Sequence, residues 1–90
     1  MSEDAGEFLR QFGSNVRRWR LRANLTQAQL AVQLHTATRH VQRIEWGAAN
    51  MTLKYLRRIA AVLRTTPATL LRPNTIIARK PGRPRKRQRP

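Results

Sequence analysis

Apolar residues recur at helical spacing as far as Leu71 and then all but cease. Phe8, Phe12, Val16 and Trp19 follow at intervals of four, four and three, on one face of a helix running from about Glu7 to Ala23. Arg10, Asn15, Arg17, Arg18 and Arg22 fall on its other face, and Asn24 suits a left-handed stop. Thr26 is a good N-cap, and Gln29 stands three residues on, the capping-box spacing. Leu30, Ala31 and Leu34 give this second helix its buried face and His35-Thr36 its turn. A third helix begins at Ala37 or Thr38, with Val41 and Ile44 inward and Gly47 past its end. After a loop over 48–51, Thr52 caps a fourth helix whose apolar face is Leu53, Leu56, Ile59, Ala60 and Leu63. Thr66 caps a fifth that opens on Pro67, a residue suited to a first helical turn. Ala68, Leu70 and Leu71 complete the expected core, and Pro73 ends the helix. The pattern predicts an all-α, compact five-helix domain.

Four segments follow from this pattern: acidic residues 1–7, a helical domain over 8–72, a linker or short arm over 73–78, and a basic tail over 79–90. Residues 74–78, NTIIA, are β-prone and read either as linker or as an arm that pairs with a second copy. The tail, RKPGRPRKRQRP, holds seven basic residues and three prolines, and nothing in it forms a core. Its expected state is disordered.

Charge narrows the partner. Nineteen Lys and Arg face four acids, a net charge of +15, and beyond Glu7 the only acid is Glu45. Such a field draws polyanions, and double-stranded DNA is the first expectation. Arg outnumbers Lys sixteen to three. Guanidinium forks fit phosphate oxygens and guanine edges as ammonium groups do not. The absence of cysteine rules out a disulfide framework, and His35 and His40 alone do not suggest a zinc site. No catalytic residues, metal or cofactor are expected, because no carboxylate pair, activated nucleophile or phosphate loop stands out. No apolar run has membrane-spanning length, and the acidic start does not look like a secretory signal. A cytoplasmic, nucleoid-associated protein is expected, with no membrane and no evident small-molecule effector.

The outward face of helix 3 is Thr38, Arg39, Gln42 and Arg43, with Ala37 at its start. A helix fits the major groove, where Arg forks onto guanine, Gln onto adenine, and Thr or Ala meets a thymine methyl. Gln27 opens helix 2, where backbone N–H groups can face a phosphate. An ordinary solvated helix face is the competing reading.

From Phe12 to Leu71, the runs FGSNVRRWRLRANLTQAQLA, HVQRIEWG, LKYLRRIAAVL and TTPATLL resemble the Cro and lambda-repressor-like helix-turn-helix domain of the XRE type. The departures are His35 where Gly is usual, Thr36 where Val or Ile is common, and Met51 in place of a frequent Pro. The resemblance implies base contacts from Thr38, Arg39, Gln42 and Arg43. It implies a backbone contact from Gln27; His40 on helix 3, with a plain surface histidine as the alternative, and Asn50 in the following loop are further backbone candidates by position. It also implies a structural ion pair between Arg20 and Glu45. In the tail, Gly82-Arg83-Pro84 followed by Arg85 resembles an AT-hook, with Pro81 where the full pattern has Arg. Gly lets a backbone sink into the narrow minor groove of A·T-rich DNA, and Arg is drawn to its potential. A nonspecific polybasic tail is the alternative.

The resulting expectation is a sequence-specific, homodimeric transcriptional regulator of the repressor kind. Two alternatives stay open: a nucleoid-associated architectural DNA-binding protein, and an autoregulating antitoxin.

Overall fold

The computed structural model describes residues 5–73. Five helices follow one another: α1 (Ala5–Arg22), α2 (Gln27–Leu34), α3 (Thr38–Glu45), α4 (Leu53–Leu63) and α5 (Pro67–Leu71). Local chemistry starts three of them. Thr26, Thr52 and Thr66 each accept the N–H of the residue three places on. At Thr26 the capping box closes, because Gln29 Oε1 also accepts the Thr26 N–H at 2.8 Å. Each such cap is worth about 1 kcal/mol.

One device stops four helices. Asn24, His35, Gly47 and Arg64 follow the ends of α1 to α4 with φ of 60°, 57°, 79° and 62°. The next N–H then reaches back to a carbonyl five residues earlier: Leu25 to Arg20, Thr36 to Ala31, Ala48 to Arg43, and Thr65 to Ala60. This is the Schellman arrangement, which satisfies carbonyls a helix end leaves open. Only one of the four positions is glycine. His35 holds a left-handed backbone that glycine would adopt without steric cost.

α2 and α3 pack on each other; α3 also packs on α1, α2 on α4, and α5 on both α1 and α4. Between them lie Phe12, Val16, Leu30, Leu34, Val41, Ile44, Ile59, Leu63 and Leu70, all buried. Each such aliphatic side chain contributes roughly 1.5–3 kcal/mol of burial before entropy is counted. Gly13 sets the closest approach. A Cβ there would fall 2.4 Å from the Ile44 carbonyl oxygen, so α1 and α3 cross backbone to backbone.

Some expected core positions differ. Phe8, Leu53 and Leu71 are 51%, 81% and 37% exposed, and Ala68 is exposed too. All four lie at or near a helix end, where periodicity still marks the apolar face but no neighbour covers it. Asn15 departs in the opposite sense. Placed on the polar face by spacing, it is buried, and its Nδ2 donates to the carbonyls of Leu70 at 2.9 Å and Arg72 at 2.7 Å. It satisfies orphan carbonyls at the end of α5.

Candidate nucleic-acid interface

The turn at His35 sets α3 across α2 and leaves one side of α3 facing out. Val41, Ile44 and Glu45 point inward and are buried. Arg39 and Arg43 are exposed, while Thr38 and Gln42 are half-buried. Each pair is four residues apart, so each forms a row along the helix surface. Ala37 precedes α3 without capping it by a side chain.

Behind this surface lies a network of hydrogen bonds. Arg20 Nε donates to Glu45 Oε2 at 2.6 Å and Arg20 Nη2 to Glu45 Oε1 at 3.1 Å, a two-pronged pair with both side chains buried. Arg20 Nη1 also donates to the Leu25 carbonyl at 2.9 Å, tying the α1–α2 turn to the same pair. Gln27 Nε2 donates to Glu45 Oε1 at 3.1 Å. The start of α2, the end of α1 and the end of α3 therefore share one carboxylate. This link between Gln27 and Glu45 has no signature in spacing; only the helix crossing creates it.

The remaining site candidates are His40, Asn50 and the tail residues. His40 is half-buried, its ring 5.5 Å from that of Tyr55 on α4. Arg43 Nη2 donates to the Ala48 carbonyl at 2.8 Å, which fastens α3 to the loop that carries exposed Asn50. Gly82, Arg83, Pro84 and Arg85 lie outside the described residues.

Electrostatics favours an anion here. Among the described residues the carboxylates are Glu7 and Glu45, and both are engaged. Glu7 accepts from Gln11 and Arg10, which hold its carboxyl below the usual glutamate range. No group of metal-ligating side chains occurs among the described residues, and no helix there is long and apolar enough to cross a membrane.

A family model described as helix-turn-helix domain matches residues 11–72. The chain belongs to the helix-turn-helix domain family.

No curated protein matches the chain. Among solved structures, this helix-turn-helix domain is similar to the restriction-modification controller protein C.AhdI from Aeromonas hydrophila. The two are 28% identical with a TM-score of 0.70, over 76% of this chain and 99% of that one. It is also similar to the hypothetical transcription factor NHTF from Neisseria, at 25% identity and TM-score 0.72, over 79% and 80% of the two chains. Hydroxypropylphosphonic acid epoxidase from S. wedmorenis matches at 28% identity and TM-score 0.71, but only 35% of its length is covered. What this chain shares with the epoxidase is a domain about a third of the enzyme's size.

Proposed function

We infer that this helix-turn-helix protein is a DNA-binding transcriptional regulator, and that it represses by reading an operator. The observation that carries this reading is the division of α3. Val41, Ile44 and Glu45 lock it into the fold, while Arg39 and Arg43 stand exposed with Thr38 and Gln42 beside them. In the major groove those four side chains meet base edges. Gln27, His40 and Asn50 contact the sugar-phosphate backbone and fix the register, as phosphate contacts do. Similarity to a restriction-modification controller protein and to a hypothetical transcription factor supports the regulatory role.

The working form is a homodimer in the cytoplasm, with two copies of α3 about 34 Å apart on successive turns of the duplex. The folded unit is the segment over 8–72, and the basic residues 79–90 add minor-groove contacts through Gly82, Arg83, Pro84 and Arg85. The excess of Lys and Arg in that stretch favours a second reading, architectural coating of A·T-rich DNA.

Genome-wide binding followed by footprinting of the strongest site tests the proposal, with affinities compared at fixed salt for that site, an A·T-rich duplex and a random duplex. A regulator binds its site at least about a thousandfold more tightly than random DNA. Equal affinity for all three refutes operator reading, and preference for any A·T-rich duplex supports the architectural one. Deleting residues 79–90 weakens binding to every duplex and flattens its salt dependence. An unchanged salt slope removes the tail from the interface.

A further inference from the structure

An apolar groove of about 330 Å³ opens between the start of α1, the first turn of α4 and the end of α5. Phe8, Met51, Leu53, Leu56 and Leu71 line it, and no ionisable side chain does. Three of the six large apolar side chains exposed among the described residues, Phe8, Leu53 and Leu71, gather here. An exposed apolar cluster of this kind marks a surface that something covers.

The chain itself supplies an occupant. Leu71 both closes α5 and lines the groove, and the chain continues from Asn74 to Pro90. In that continuation Ile76 and Ile77 are the only large aliphatic side chains. Five residues beyond Leu71, Ile76 has a reach of up to about 17 Å, so the groove is within the tether. A short tether gives an effective concentration of roughly millimolar, which favours this segment over a second copy at ordinary protein concentrations. We propose that Ile76 and Ile77 dock into the groove as an intramolecular latch. Asn50 stands among the groove's lining residues. The latch therefore starts the basic stretch over 79–90 beside the loop assigned to the DNA backbone, a consequence that rests on the proposed function.

The chain has no cysteine, so a designed cross-link reports the contact directly. The full-length variant Leu53→Cys with Ile77→Cys is oxidised mildly without DNA and analysed by mass and by gel. The expected product is an internal disulfide in most molecules, lost when Ile76→Asp is added. Ala61→Cys with Ile77→Cys, placed on the exposed side of α4, gives little cross-link. A disulfide only between chains overturns the latch and assigns the groove to a second copy. Equal yield from the Leu53 and Ala61 pairs, or none from either, overturns it as well. A second measurement avoids cysteine: Ile76→Asp with Ile77→Asp shifts the NMR methyl signals of Met51, Leu53 and Leu71, and unshifted signals refute the contact. Because DNA is absent from both experiments, a failed latch leaves operator reading standing, and a failed operator search leaves the latch standing.

Discussion

The two faces of α3 behave as different materials. On one, Val41 and Ile44 are buried against the core and Glu45 is bound by Arg20 and Gln27. On the other, Arg39 is exposed and Arg43 reaches only a loop carbonyl. Eight residues thus serve two purposes. The inner face sets where the helix sits, and the outer face carries no such packing constraint. Under the proposed function, stability and recognition separate along this helix, and substitutions on the two faces have different signatures.

The largest effect belongs inside. Glu45→Ala leaves the Arg20 guanidinium buried without its counter-charge and costs about 3–5 kcal/mol. Urea denaturation measures it. Replacing both partners with apolar residues of similar volume, as in Arg20→Met with Glu45→Leu, costs much less. If the double replacement loses as much as the single one, the pair is needed for more than charge balance. Outside, Arg43→Ala costs about 1–3 kcal/mol of binding to the preferred site. Folding stability stays within about 0.5 kcal/mol of the parent. An equal loss on random DNA moves Arg43 from base reading to phosphate contact.

Two smaller changes probe the frame that sets the faces apart. His35→Gly relieves a left-handed backbone and raises stability by up to about 1 kcal/mol, read from the shift in denaturation midpoint. A loss instead means that the imidazole makes a contact worth more than the strain. Glu7 gives the smallest effect and depends on pH. Its carboxyl titrates lower in the fold than in the unfolded chain, chiefly through Gln11 and then Arg10. Such a group stabilises the fold above its unfolded pKa, and the gain is lost as pH falls through the folded one. Glu7→Gln therefore lowers the melting temperature slightly at neutral pH and leaves it unchanged in strong acid.

Local chemistry was readable and distant packing was not. The threonine caps, the capping box at Thr26 and the stop at Asn24 depend on neighbours within a few residues, and spacing alone finds them. The left-handed positions at His35 and Arg64 carry no glycine to announce them. Phe8 and Leu53 share the periodicity of true core residues, yet burial depends on what another helix covers. Asn15 looks like a surface residue until α5 places two carbonyls above it. Gly13 is conspicuous only once α3 crosses it. Among the candidate contacts, the outward placement of Arg39 and Arg43 followed from helical phase. The hold of Glu45 on Gln27 required three separate helix ends to meet.

Under the proposed function, the outward face of α3 chooses the DNA sequence while the inward face only holds it in place. The most direct test selects bound duplexes from a random pool with the parent and with Arg39→Ala, Gln42→Ala. The double variant is expected to lose the parent's preference at two or more base positions, while its melting temperature and its affinity for random DNA change little. A variant that selects the same sequence with the same preference contradicts it.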